Sequence, residues 1–183
     1  MEDIHEPQTR TRTIVVFAML FALLGAVVIF AYFATFSRPV TTVILVRHAE
    51  KKLDPPDDPD LSPDGFARAE EIGRVFSNTG INAIYATQYK RTQQTVEPLS
   101  KRIGVSVTVL DAKQPEELVK RIQTSLRGQT IFVSGHNDTV PAITSALSGE
   151  TFPPIPPSEY DNVYIVTIYR FGKAKVLRLK YGK

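Results

Sequence analysis

The sequence predicts a layered α/β domain with a mostly parallel sheet that turns mixed at its end, preceded by one membrane-spanning helix. Three observations carry this expectation. Residues 14–36 run for 23 positions without a charge, short β-branched runs alternate with helix-patterned segments from residue 41 onward, and two of the three histidines directly follow such runs. Repeated strand, loop and helix units favour a parallel sheet with helices packed on it.

The span comes first. At ~1.5 Å per residue Ile14 to Phe36 reaches ~34 Å as a helix, enough to cross a hydrocarbon core of roughly 30 Å with a modest tilt. A core helix of a small soluble domain is seldom so apolar on every face. A cleaved export signal is the closer rival, but this stretch exceeds the usual ~7–15 apolar residues and no clear small-x-small pair precedes a cut. The expected order is a short polar tail (1–13), the span (14–36), a linker (37–40) and one domain (41–183). Arg10 and Arg12 flank one side, and Arg38, Arg47, Lys51 and Lys52 follow the other, so basic residues do not choose an orientation. A short tail, one span and one domain place the tail in the cytoplasm and the domain outside it.

The chain has 183 residues, a formal charge of +3 and no cysteine. Absence of cysteine removes thiol chemistry and cysteine metal sites without naming a compartment. Basic residues are scattered among acids, with no long basic block interleaved with aromatics, so a nucleic-acid partner is not expected.

Thr42 to Val46 is the first strand. Lys51 to Pro63, rich in proline and aspartate, is a loop over or beside the functional end. Ser62-Pro63-Asp64-Gly65 caps and starts a helix carrying Ala67, Ala69, Ile72, Val75 and Phe76. Ile81 to Ala86 is the second strand, Arg91 to Ile103 a helix stopped by Gly104, and Val105 to Leu110 the third strand. Pro115-Glu116-Glu117 opens a helix through Leu118, Val119, Ile122 and Leu126 with Gly128 as its stop. Thr130 to Ser134 is the fourth strand, followed by a helix around Val140 to Leu147. After the proline-rich loop Phe152 to Pro157, Asn162 to Tyr169 and Lys175 to Lys180 form a hairpin turning at Phe171-Gly172-Lys173. Tyr160, Tyr164, Tyr169 and Phe171 are read as strand and hairpin core in preference to a ligand platform.

His48 and His136 sit at strand ends, where open α/β sheets keep their chemistry. Arginine offers a fixed fork of donors for phosphate oxygens, and histidine can attack phosphorus and carry the group. A second, charged histidine would donate to the same phosphoryl group. Arg91 lies just past the second strand, so Arg47, His48, Arg91 and His136 would converge from three strand ends on a dianion.

Four segments in order resemble the histidine phosphatase superfamily, the phosphoglycerate mutase-like fold. They are Leu45-Val46-Arg47-His48-Ala49-Glu50; Leu61-Ser62-Pro63-Asp64-Gly65; Tyr85-Ala86-Thr87 with Arg91-Thr92-Gln93-Gln94-Thr95; and Val133-Ser134-Gly135-His136-Asn137-Asp138-Thr139. The resemblance implies a three-layer α/β/α sandwich, phosphorylation of His48, and phosphoryl binding by Arg47, Arg91 and His136. It also implies a carboxylate that protonates the leaving oxygen, and no cofactor or metal.

The domain is short for that family, which favours a small phosphatase over a phosphoglycerate mutase-like enzyme. Short bacterial phosphohistidine phosphatases and exported lipopolysaccharide-phosphate phosphatases are the nearer kinds, and the span points to a single-pass protein of a bacterial inner membrane. The expected partners are a phosphorylated small molecule, an envelope phosphoester or a phosphohistidine protein. Asn137-Asp138-Thr139 departs from the more familiar serine-asparagine-threonine. The acid-phosphatase branch places its proton donor directly after the second histidine, so Asp138 is offset by one. Asp138 is the preferred donor, although an aspartate before Val140 can equally cap a helix. Glu50, Glu116 and Glu117 are the alternatives, the last two also suited to a helix first turn. The rival class is a membrane-tethered phospholigand-binding or scaffolding protein without turnover.

Overall fold

The computed structural model describes residues 7–36, 40–54 and 57–182, which form two compact units. Residues 1–6 of the expected tail and 37–39 of the expected linker, Arg38 included, lie outside the described residues, as do Pro55, Pro56 and Lys183.

The first unit is one helix, α1, Pro7–Phe36. It begins seven residues ahead of Ile14, with a proline at its first position, where the missing N–H costs no hydrogen bond. Thr11–Ala34 is long and apolar enough to cross a membrane, and none of its most apolar stretch is buried. The helix is consistent with a membrane anchor.

The second unit is a six-stranded sheet between two pairs of helices. Its elements are β1 (Thr41–Arg47), α2 (Pro63–Phe76), β2 (Ala83–Thr87), α3 (Lys90–Ile103), β3 (Val107–Leu110), α4 (Pro115–Gln123), β4 (Thr130–Gly135), α5 (Thr139–Ser148), β5 (Asn162–Ile168) and β6 (Lys175–Lys180). The order across the sheet is β3-β2-β4-β1-β5-β6. The first four strands are mutually parallel, β5 runs antiparallel to β1, and β6 antiparallel to β5. The sheet is therefore mostly parallel and mixed at one edge.

Strand alternation divides β1 between two cores. Val43 and Leu45 pack with Leu118 and Ile122 of α4 and Val140 and Ile143 of α5. Ile44 and Val46 pack with Ile72 and Phe76 of α2 and Val96 and Leu99 of α3. Both faces of β1 are covered, which is why its sequence is a continuous apolar run.

Within the second unit three boundaries differ from expectation by two residues or more. The fourth helix of the chain ends at Gln123, short of Leu126, because the Thr124 and Ser125 hydroxyls donate to the Lys120 and Arg121 carbonyls and Thr124 leaves helical backbone. Gly128 instead serves the next turn, at φ +79°, and its N–H donates to Thr41 Oγ1 at 2.8 Å. The second and third strands start two residues late, at Ala83 and Val107. The reading of Tyr169 and Phe171 as hairpin core is corrected: both are exposed, because they lie beyond the last paired residues of β5 and β6. Tyr164 is buried in the core as expected.

Candidate active site

Arg47 pairs in register with Gly135, and the His48 N–H donates to the Gly135 carbonyl at 2.9 Å. The ladder between β1 and β4 therefore delivers His48 and His136 side by side. Their ring centres are 5.5 Å apart at an interplanar angle of 67°. Both residues are buried.

His48 Nδ1 lies 2.7 Å from the Ala49 carbonyl oxygen. A carbonyl only accepts, so Nδ1 carries the proton and Nε2 keeps its lone pair. The Ala49 N–H is itself tied to Thr95 Oγ1 at 2.9 Å, which fixes this loop to α3. Burial, assisted by His136, Arg47 and Arg91 and opposed by the Ala49 hydrogen bond, pushes His48 down to about 3. Burial and Arg91 likewise hold His136 at about 4. Both imidazoles are therefore neutral at pH 7.

His136 Nε2 is 3.0 Å from Thr87 Oγ1, which is 2.8 Å from Thr92 Oγ1. The Thr92 hydroxyl donates to the Tyr89 carbonyl, so Thr87 donates to Thr92 and accepts from His136. This relay sets the tautomer and orientation of His136 from the end of β2.

The two arginines flank the histidines. Arg47 Nη1 donates to the carbonyls of Pro156, Pro157 and Glu159 at 3.1, 2.8 and 2.9 Å, and its guanidinium carbon lies 4.1 Å from the centre of the Tyr160 ring. The proline-rich strap is thus threaded onto Arg47, and Tyr160 also stands 6.0 Å, centre to centre, from His48. The expectation that Tyr160 is core is corrected. β5 is antiparallel to β1, so the residues just before β5 arrive at the carboxyl end of β1.

Arg91, in the first turn of α3, stacks over Tyr89 at 4.3 Å and faces Asp58 at 3.9 Å. Asp58 also accepts from the Lys90 N–H at 2.9 Å, capping α3 from the 51–61 loop. That loop is closed by a bridge between Lys51 and Leu61. Among the described residues, the Nε–H groups of Arg47 and Arg91 are buried without a partner. Two orphaned donors beside two histidines have the chemistry of an oxyanion site.

The carboxylates are distributed differently. Asp138 is exposed and caps α5, accepting from the Thr139 N–H at 2.7 Å. Glu50 forms a forked pair with Arg68, with contacts of 2.7 to 2.9 Å; although burial favours its neutral form, these hydrogen bonds hold its carboxyl below the ordinary value. Glu117 pairs with Arg121 on its own helix, and Glu116 is exposed in the first turn of α4. Thr87, Thr92, Tyr89, Tyr160 and Asp58 were not anticipated. Among them only Thr87 and Thr92 stood inside a quoted motif.

The histidine phosphatase superfamily (branch 1) matches residues 43–113, the half of the domain that supplies Arg47, His48 and Arg91. Over those residues the chain is similar to the histidine phosphatase superfamily. No curated protein matches it significantly. Solved structures share its fold. A candidate phosphohistidine phosphatase SixA from Agrobacterium tumefaciens is 22% identical, with 78% of this chain and 99% of that one covered at a TM-score of 0.60. The protein histidine phosphatase SixA complexed with tungstate is 19% identical, with coverage of 76% and 96% and a TM-score of 0.62. A phosphoserine phosphatase from Entamoeba histolytica in complex with 3-phosphoglyceric acid is 14% identical, with coverage of 78% and 98% and a TM-score of 0.61.

Proposed function

We propose that the chain is a membrane-anchored phosphomonoesterase working through a phosphohistidine on His48. The observation that carries this reading is the Nε2 lone pair of His48, left free by the Ala49 contact and flanked by arginines with unpartnered Nε–H groups. In the first step Nε2 attacks phosphorus, and the bond to the leaving oxygen breaks with its electron pair on that oxygen, which takes a proton. Water then attacks the same phosphorus, the N–P pair returns to Nε2, and orthophosphate departs. Arg47, Arg91 and His136 hold the phosphoryl oxygens through both steps, where preorganised donors act most strongly. Binding of tungstate, a tetrahedral oxyanion, by a structural relative supports an anion pocket of this kind.

Asp138 is proposed as the proton donor, because it stands two residues from His136 and its charge acts on that ring. A second reading has specific support. Asp138, Glu50 and Glu117 are all engaged in capping or ion pairs, which favours substrates whose leaving group needs little help, such as the phosphoramidate of a phosphohistidine protein.

The division at residues 14–36, 37–40 and 41–183, and a single-pass placement with the domain outside the cytoplasm, belong to the same proposal. Rapid quench with labelled p-nitrophenyl phosphate tests the mechanism. An acid-labile phosphoenzyme that disappears in His48→Ala is expected; full turnover by that variant overturns the nucleophile. A folded wild type that binds orthophosphate without turnover supports the phospholigand-binding alternative. Asp138→Asn slowing poor leaving groups more than p-nitrophenyl phosphate supports Asp138 as donor, and equal effects favour the cap alone.

A further inference from the structure

Charge is unevenly placed along this chain. Residues 169–183 hold six of the 22 basic residues and none of the 19 acidic ones, so a segment of 15 residues carries +6 and the remainder sums to −3. Lys180 is neutralised by Glu159 and Asp161. The rest of the described cations, Arg170, Lys173, Lys175 and Arg178, are exposed on the β5–β6 hairpin. At its tip Phe171 is 65% exposed and Tyr169 43%. A single exposed aromatic needs no explanation. Two of them on a turn lined with cations have the composition of a membrane-interface anchor.

The topology says where this tip stands. Thr41, the first residue of β1, pairs with Ile168, the last of β5. The hairpin tip therefore leaves the sheet at the same end at which the chain enters the domain. Five Cα steps separate Phe36, the last residue of α1, from Thr41, a reach of at most about 18 Å. If α1 spans a bilayer, the tether holds this end of the domain at the lipid surface.

We propose that the β5–β6 hairpin docks on an anionic bilayer, with Phe171 and Tyr169 in the interface and Lys173 and Lys175 against the headgroups. The proposal rests on α1 being a membrane anchor. Its consequence concerns substrate. His48 lies just past the other end of β1, seven steps or about 23 Å from Thr41. Docking by the hairpin turns the phosphate site away from the membrane that anchors it, which suits water-soluble phosphoesters or phosphoproteins and not lipid headgroups of the same leaflet.

The chain contains no tryptophan, so Phe171→Trp introduces a single reporter. Phe66→Trp, in the first turn of α2 at the His48 end, is the control. The full chain of each variant is reconstituted in vesicles of phosphatidylcholine alone or with phosphatidylglycerol. In the anionic vesicles the hairpin indole of Phe171→Trp should emit to the blue of the control indole and be quenched by brominated acyl chains. Adding Lys173→Glu and Lys175→Glu should lower the docking equilibrium constant by roughly 25-fold, at about five-fold for each cation lost. Equal exposure of the hairpin and control indoles in anionic vesicles overturns the proposal. So does protection of the hairpin indole that ignores lipid charge and rises with protein density, the mark of pairing with a second copy through the open edge of β6. Carbonate extraction of the same vesicles separates the two failures: release of the chain overturns the anchor itself, whereas a retained chain with an exposed hairpin indole overturns docking alone.

Discussion

His48 and His136 stand edge to face with ring centres 5.5 Å apart, because β1 and β4 pair in parallel register up to the residue before each. Two imidazoles at that distance, buried beside two arginines, cannot both be charged at modest cost. Burial pushes them to about 3 and about 4, and the neighbouring cations reinforce it. The resting site therefore has positive arginines, a neutral nucleophile and a neutral second histidine. A bound dianion reverses this balance by favouring the charged imidazole.

Binding of inorganic phosphate or tungstate at pH 7 is accordingly expected to take up a proton from solution, with His136 its destination. Titration calorimetry in buffers of different ionisation enthalpy measures this directly. The uptake should vanish in His136→Asn. Binding enthalpies that do not depend on the buffer would contradict the electrostatic account.

The same two histidines set an acid limit on stability. Their folded values are depressed below the ordinary 6.5, so the unfolded chain binds protons first as pH falls. Their contribution is fully present above about 6.5 and is lost as pH falls toward 4 and then 3. Glu50, also depressed, acts only below its ordinary value of 4.5, so the range from 6.5 to 4.5 isolates the histidines. Urea midpoints of the full chain in mild detergent should decline across that range, and His136→Asn should flatten the decline. A midpoint constant from pH 7 to 5 would show that burial of these rings is not maintained in solution.

Arg47 has two duties, and a lysine can perform only one of them. Its Nη1 grips three strap carbonyls while its buried Nε–H remains for an anion. Arg47→Lys keeps the charge but loses the fork and the flat face that stacks on Tyr160. Catalytic efficiency should fall by roughly 10²-fold. Amide exchange around 155–160 should accelerate, including at Ile155, whose N–H is bonded to the Asn137 carbonyl. Faster exchange without a loss of rate would leave Arg47 a purely structural role.

The parts of this molecule legible from sequence are those written in short-range pattern. The apolar runs around Val43 and Phe132, the Ser62 cap and the left-handed Gly104 stop are local signals, and the structure holds all of them. Tyr160 was not legible, because its place beside His48 follows from the antiparallel direction of β5, which no local signal encodes. Asp58 was hidden for a similar reason: it caps a helix 32 residues further along the chain. The end of α4 was misplaced because hydroxyls at Thr124 and Ser125 compete for helix carbonyls, an effect that apolar periodicity does not register.

Gly65 offers a test of how the nucleophile loop is held. A Cβ at this position would lie 2.0 Å from the Glu50 carbonyl oxygen and 3.0 Å from its carbon, both backbone atoms that cannot swing aside. The Ser62 N–H donates to the same carbonyl at 2.9 Å, so the first turn of α2 is seated directly against the chain two residues past His48. Alanine is the better helix former by about 1 kcal/mol, whereas forcing an extra carbon into a packed site costs about 1–3 kcal/mol. Gly65→Ala should therefore lower the melting temperature despite the gain in helix propensity. It should also cut turnover, because the displaced Glu50 peptide is continuous with the Ala49 carbonyl that orients His48 Nδ1. Thermal unfolding and p-nitrophenyl phosphate turnover of the same preparation check both arms. A raised melting temperature with unchanged turnover would mean that α2 does not press on this loop.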